Sequence, residues 1–413
     1  MRILYVSRLF SGLAEGIRER RWDPRGVPTV YRLLEKLDQS EHDLQIVFTV
    51  KDDAVGWPGL KTETFSIDGF GRDITVIPQR VPLTAGLGRA RGYLRELIQY
   101  REIRKQFDNF KPDLAYFDRV NVYQAALTAR RTEVPVVWRV MGVPPAMHSM
   151  LDLNGPVPRI TRKAYRAPFS MVICSRDGSG GEQWMDRALA PETPRKMMIN
   201  GVTPESGGGL SPEITTLLEK DETSILFVAR LVEDKGCLAF IDAVSAAMDA
   251  APGRFRAFVA GSGPFEELMR ERLKATGLAN RVHFLGQVPH EQVLNLQQKC
   301  DIYVSLNQMC NLTNANLEAM RTGVCMIIPA APGIRGIDVD TDELMPTDTI
   351  WRIRNSEDVA GLRDALIHLD SNPDERRQRA EAIFKRASTF IPSWDERVNA
   401  EMELLEQLAA AKT

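Results

Sequence analysis

Several things are scarce in this sequence, and each scarcity excludes a class of protein. Charge of one sign is missing: 53 Lys and Arg against 55 Asp and Glu leave a formal net charge of −2. No global basic surface therefore points to nucleic acid. Cysteines are few. Cys174, Cys237, Cys300, Cys310 and Cys325 are odd in number and show no Cys-x-x-Cys pair. That argues for reduced, mostly buried thiols in a cytosolic compartment. No apolar run approaches the roughly 20 residues of a membrane span. The opening residues, MRILYVS, read as a strand with one arginine, not as a signal peptide. There is no Asp-x-Asp motif and no His, Asp and Glu cluster at metal spacing, so no metal is expected.

What the chain has in quantity is alternation. Short apolar runs such as RILYV, LQIVFTV, PVVWRVM, SILFVA, FRAFVAG and CMIIP are separated by segments with helical periodicity, such as VYRLLEKLD and SEDVAGLRDALIHL. Runs that are apolar on both faces predict buried parallel strands, and strand–helix alternation predicts sheets covered on both sides. A length of 413 residues suits two domains of about 200 each. The Gly, Ser and Pro cluster NGVTPESGGGLSPE, residues 200–213, reads as the boundary between them. The expected class is α/β, with two Rossmann-like, doubly wound domains facing a cleft. Residues 1–203 form the first and 204–385 the second, and residues 386–413 end in a helix that packs back across the junction.

In such sheets ligands sit beyond the carboxyl ends of strands, where helix N-termini present N–H groups. After SILFVA the chain reads RLVEDKG, with Arg230 and Lys235 five residues apart beside a helix start. Two cations there suit a diphosphate; spacing alone leaves open a pair of solvated surface cations. VAGSGPF and HFLGQVPHEQV are strand–glycine–helix steps, the second turning at Gly286. The stretch NQMCNLTNANLEAMRTG then gives a polar loop, Asn311 to Asn314, and one acid, Glu318, in the first turn or so of a helix. A carboxylate there stabilises a helix end, or accepts two hydrogen bonds from a ribose diol. The loop N–H groups suit phosphate or sugar oxygens.

Taken in order, ARLVEDKG, VAGSGPFEEL, VHFLGQVPHEQV, CDIYVSL and NLEAMRTGVCMII resemble the donor half of glycosyltransferase family 4. MMINGV before the boundary and STFIPSW near the end fit the same family. The resemblance is strong over residues 197–330, fair beyond, and weak in the first half. It implies the GT-B fold and retaining transfer from a UDP-sugar or GDP-sugar to an acceptor hydroxyl of a glycan, glycolipid or lipid-linked intermediate, as in polysaccharide biosynthesis. It also implies roles: Arg230 and Lys235 hold the donor diphosphate and stabilise the leaving group. Glu318 takes the ribose, backbone near Gly286 lies by the base, and the loop of Asn311, Leu312, Thr313 and Asn314 lies by phosphate and sugar. Gly26 in DPRGVPTVYRLL stands where the family often has a Gly-Gly loop before its first helix, here starting near Pro28.

Two positions depart from the family. It usually carries Glu-x7-Glu across the polar loop, and here the first position is Cys310; a His that often precedes the glycine of the WRVMG step is Met141. Sugar-facing positions are changed while nucleotide-facing ones are kept, so two other readings stay open: a non-catalytic sugar-nucleotide-binding partner of a transferase, and a GT-B enzyme of different chemistry such as a sugar-nucleotide epimerase. Transfer remains favoured, because front-side retaining chemistry needs positioning and leaving-group stabilisation more than a carboxylate nucleophile. Asn311, Thr313 and Asn314 offer substitute sugar contacts. His148 offers an imidazole, though a loop or surface His is the plainer reading. Two basic stretches complete the picture. GIRERRWDPRG, residues 16–26, reads as an arginine-rich loop over the cleft for an anionic acceptor, or as a solvated charged loop. Residues 80–105 read as a surface helix, or as a basic amphipathic face for an anionic membrane. The expected location is cytoplasmic, with peripheral contact on the inner face of the membrane.

Overall fold

The structure, a computed structural model, describes residues 1–51, 57, 59, 61–79, 90–203, 209–219, 221–330 and 338–411. The chain divides into two units. The first comprises Met1–Ser175, Glu182–Met198 and Glu396–Thr413. The second comprises Arg176–Gly181 and Ile199–Asp395. The short piece Arg176–Gly181 therefore packs with a unit far from it in sequence, which periodicity along the chain does not reveal.

The first unit is built on an eight-stranded sheet. Its strands are β1 (Arg2–Arg8), β2 (Asp43–Val50), β3 (Glu63–Phe65), β4 (Ile74–Pro78), β5 (Leu114–Asp118), β6 (Val136–Val140), β7 (Met171–Ser175) and β8 (Arg195–Met198). They lie in the order β3-β4-β2-β1-β5-β6-β7-β8. Every pairing is parallel except that of the three-residue edge strand β3 with β4. From β1 the chain first winds toward β4 and then returns to add β5 on the other side, so the winding direction reverses between β1 and β5. One face of the sheet is apolar, with Leu4, Val6, Phe117 and Trp138 in a common cluster. Side chains alternate along a strand, so Tyr5, Tyr116 and Arg139 lie on the opposite face. There the rings of Tyr5 and Tyr116 stack at 4.9 Å. The helix Trp394–Ala410 lays Glu401, 1% exposed, against them. Tyr116 donates its hydroxyl to Glu401 (2.7 Å), and Arg397 and Arg139 pair with the same carboxylate at 2.7 and 3.4 Å. Burial by itself would raise the Glu401 carboxyl; the two arginines and the tyrosine outweigh it and hold it below the usual range.

The second unit carries a six-stranded parallel sheet of β9 (Thr223–Val228), β10 (Phe255–Ala260), β11 (Val282–Gly286), β12 (Ile302–Val304), β13 (Cys325–Pro329) and β14 (Trp351–Ile353), in the order β11-β10-β9-β12-β13-β14. Both faces are covered: Ile225 and Phe227 of β9 enter one cluster, and Leu226 between them enters the other. That double coverage is why the strand reads as a continuous apolar run. Here the winding reverses between β9 and β12.

Two expectations change. Residues 16–18 of the arginine-rich stretch finish a helix, Ser11–Arg18, instead of lying in a loop. The rest folds back on that helix: Arg25 N–H bonds the Gly12 carbonyl (2.8 Å), and a Cβ on Gly12 would meet the Arg25 carbonyl oxygen. Its charges pair locally, Arg21 with Glu19 and Arg25 with Asp23, both at 2.9 Å. The boundary cluster 200–213 runs into a helix, Pro212–Leu218, capped by Ser211; residues 204–208 lie outside the described residues. In the stretch 80–105, residues 80–89 also lie outside them. On the helix Ala90–Phe110, Lys105 pairs with Glu102 and Arg104 with Asp108. Among the described residues no helix is long and apolar enough to cross a membrane.

Candidate active site

In an open α/β sheet a crevice forms outside the carboxyl ends of the strands where the winding reverses. In the second unit that is the end of β9 beside the end of β12. Arg230 follows β9 by two residues and stands exposed, with no ion pair among the described residues. Lys235 closes a short 3-10 turn, Glu233–Lys235, and its Nζ lies 3.3 Å from the Asp234 carboxylate. Gly236 then starts the helix Cys237–Ala250 with φ of 68° and no side-chain cap, which leaves first-turn N–H groups to other acceptors. A side chain at Gly236 would strike Leu306 just past β12, so glycine there lets the helix start approach the second strand end.

The loops around this crevice are stitched by their backbones. Ala229 N–H bonds the Ala260 carbonyl and Leu231 N–H the Ser262 carbonyl, at 3.1 and 2.9 Å. Gly261 N–H bonds the Gly286 carbonyl at 2.7 Å. Gly261, at φ of 135°, has the Ala229 carbonyl where a Cβ would be, which explains the glycine turn between β10 and its helix. On the other side, Gln308 N–H bonds the Asp234 carbonyl at 2.9 Å. The ends of β9, β10, β11 and β12 thus form one framework. It brings together Arg230, Lys235, Gly286 and the loop that leads to Glu318.

Glu318 sits one turn deeper than expected. The helix runs Asn314–Thr322 with Thr313 as its cap, so Glu318 is its fifth residue and is 7% exposed. The helix-dipole reading of this acid loses force, because the dipole effect fades within the first turn. Instead His290 Nε2 lies 2.8 Å from Glu318 Oε1. His290 opens the helix that follows the Gly286 turn. Its signal was present in the sequence as the His after Pro289, but only folding pairs it with the acid.

The polar loop does less ligand-facing work than its composition implies. Asn311 is buried: its side chain donates to the Pro329 carbonyl (3.0 Å), and its N–H bonds Asp338 (3.2 Å). Leu312 N–H bonds the Asp177 carbonyl at 3.1 Å, and its side chain is buried. These two N–H groups therefore hold the loop in place. Thr313 and Asn314 keep backbone N–H groups without a protein acceptor among the described residues. The Asn314 side chain accepts from Asn200 (2.8 Å).

Cys310 is partly exposed; burial, reinforced by Asp177, pushes its thiol well above the ordinary value. A protonated thiol is a poor nucleophile. Its environment holds what sequence spacing could not show, two carboxylates from distant segments. Asp177 is raised by burial against the donors of Ser179. Asp338 is raised by burial to about 6 although Thr341 and Asn311 donate to it. Gly26 and Met141 belong to the first unit. Gly26 has φ of 76° and precedes the helix Pro28–Asp38. The carbonyls of Met141 and Gly142 accept from Arg119, and His148 lies partly buried on the helix Pro145–Asp152.

Two doubly wound sheets of this kind recur in solved structures. Sucrose-phosphate synthase from Thermosynechococcus elongatus superposes over 100% of both chains with a TM-score of 0.72 at 14% identity. Anabaena HepE in complex with UDP-glucose does so over 100% of both chains with a TM-score of 0.65 at 17% identity. The fold is GT-B. Residues 214–386 match the family model of glycosyl transferases group 1. A 2-deoxystreptamine N-acetyl-D-glucosaminyltransferase of Streptomyces fradiae is 27% identical over 314 residues, 70% of this chain and 71% of that protein. Together these matches support a GT-B glycosyltransferase that uses a nucleotide-sugar donor.

Proposed function

We propose that the protein is a retaining glycosyltransferase whose donor is a UDP-sugar or GDP-sugar and whose donor site is the β9–β12 crevice. The observation that carries this reading is the exposed Arg230, without an ion pair among the described residues, beside Lys235 and the uncapped helix Cys237–Ala250, on a framework fixed by backbone bonds. Arg230 and Lys235 grip the diphosphate. Glu318, oriented by His290, accepts hydrogen bonds from the ribose diol, and backbone at Gly286 borders the base. The N–H groups of Thr313 and Asn314 serve phosphate or sugar oxygens.

In transfer, the bond from the anomeric carbon to the diphosphate oxygen breaks as the acceptor oxygen bonds the same carbon on the same face. The acceptor proton passes to the departing phosphate oxygen. Negative charge grows on that oxygen, and Arg230, Lys235 and the helix N–H groups stabilise it more in the transition state than in the ground state. Protonated Cys310 adds no nucleophile, and this route needs none.

The HepE complex and the name of the Streptomyces relative make UDP the first nucleotide to try. Thermal shift with UDP, GDP and their sugars reads donor choice, and the anomeric configuration of the product reads stereochemistry. Protection by a uridine or guanosine diphosphate and an α-linked product from an α-linked donor are expected. Absence of protection by any of them would overturn the donor site. Binding without transfer across acceptors would favour a non-catalytic partner.

A further inference from the structure

The first sheet has its own winding reversal, and the residues there take no part in the chemistry above. Arg8 ends β1 and Asp118 ends the neighbouring β5. Asp118 is fully engaged. Ser7 Oγ and Arg8 N–H donate to one oxygen at 3.0 and 2.6 Å, and Asn121 donates twice to the other. Glu96, on the helix Ala90–Phe110, takes Gln79 on one oxygen at 2.8 Å and Gln124 on the other at 2.5 Å. These two carboxylates are the charges that act on the Arg8 guanidinium, and burial outweighs them to lower its pKa. Yet none of its three covered nitrogens has a hydrogen-bond partner among the described residues. The residue as a whole keeps partial exposure.

A guanidinium carries five N–H donors in a planar fork. Leaving them unpaired out of water costs more than leaving a neutral group so. Asp118 already accepts four hydrogen bonds and Glu96 one on each oxygen, and no acceptor among the described residues bonds the Arg8 fork, which leaves it open to oxygens of a ligand. A planar fork fits two oxygens at fixed separation, such as hydroxyls on adjacent ring carbons. Charge narrows the class: one guanidinium against Asp118 and Glu96 leaves a negative local sum, which disfavours phosphates and carboxylates and tolerates amines.

Resting on the transferase reading, we infer that the β1–β5 crevice binds the acceptor as a polyhydroxylated ring without anionic groups, with Arg8 donating to two of its hydroxyl oxygens. It departs from the expectation of an anionic acceptor drawn from residues 16–26, where Arg21 and Arg25 pair within their own segment and Arg20 lies over the Phe65 ring. The Streptomyces relative is named for an acceptor of the inferred kind, an aminocyclitol.

Calorimetry of the full chain with 2-deoxystreptamine, myo-inositol and inorganic phosphate, each with and without UDP, tests it. Wild type should bind at least one of the two rings more tightly than phosphate. Arg8→Lys keeps the charge and loses the fork. It should weaken that binding about ten- to hundredfold while leaving UDP affinity and melting temperature unchanged. Arg8→Met should behave alike, and its melting temperature reports whether it still folds. Equal ring affinity in Arg8→Lys, tighter binding of phosphate, or no ring binding by protein that binds UDP would each overturn the inference. Failure of wild type to bind UDP would instead strike the donor reading, with the Arg8 comparison still readable.

Discussion

The two winding reversals of this molecule each place an arginine at or just beyond the end of a strand, and they use it in opposite ways. In the second unit Arg230 is exposed and has no ion pair among the described residues, next to Lys235 and an uncapped helix start. In the first unit Arg8 is partly buried, with two carboxylates acting on it and its covered nitrogens unbonded among the described residues. An exposed cation beside helix N–H groups suits a highly charged ligand that brings its own solvation to the crevice. A partly buried guanidinium balanced by acids suits oxygens that carry no net charge. On the readings proposed above, the same strand geometry serves an anion grip in one sheet and a hydroxyl fork in the other, and local charge decides between them.

Several experiments can break or sharpen that contrast. The largest effect is expected at the other polar cluster of the first sheet, under Glu401. Truncating one partner of a buried, bonded ion pair typically costs about 3–5 kcal/mol. Glu401→Ala should lower stability by that order in denaturant unfolding, since it strands Arg139 and Arg397. A neutral result would mean that this cluster is not a structural fixture. Next comes the anion grip. Lys235→Ala should reduce kcat by about a hundred- to thousandfold, the range for losing one charge-stabilising donor, with a smaller change in donor KM. A pure KM effect would assign Lys235 to ground-state binding.

A pH effect of intermediate size is expected at Asp338. Its folded pKa of about 6 lies above the ordinary 3.8 because of burial. Between those values the folded state holds a proton that the unfolded state releases, so this group's contribution falls as pH rises through the window. The full swing is about 2–3 kcal/mol. Asp338→Asn should flatten the stability profile between pH 4 and 6. An unchanged profile would show that Asp338 ionises normally. Smaller still, Glu318→Ala should weaken UDP binding by about tenfold, the order of one charge-assisted bond, with kcat little changed. His290→Ala should weaken it less, by about threefold, because it acts only through the orientation of Glu318. Reversed magnitudes would make His290 the ligand contact.

Much of the fold was legible because both sheets are buried on both faces: runs such as SILFVA can only be central strands, and the segments between them show helical spacing. The proposed donor crevice was legible for a related reason: Arg230 and Lys235 follow β9, Gly286 ends β11, and Glu318 lies on the helix reached after β12. What escaped was whatever depends on contacts between distant segments. The polar composition of 311–314 looked ligand-facing, yet Asn311 and Leu312 are spent on Pro329, Asp338 and Asp177. His290 meets Glu318, and two acids approach Cys310, only after folding. Arg8 looked like the tail of an apolar strand, since nothing in MRILYVSR predicts that Glu96 and Asp118 will flank it while Gln79, Gln124 and Asn121 occupy their oxygens.

Titrating UDP into the wild-type chain and into Arg230→Ala/Lys235→Ala by calorimetry bears most heavily on this picture. One UDP per chain should bind to wild type, and the double variant, still folded by its melting temperature, should lose at least about a hundredfold in affinity, as expected for two charge-assisted contacts. Equal affinity in the two proteins would mean that the β9–β12 crevice does not grip the diphosphate.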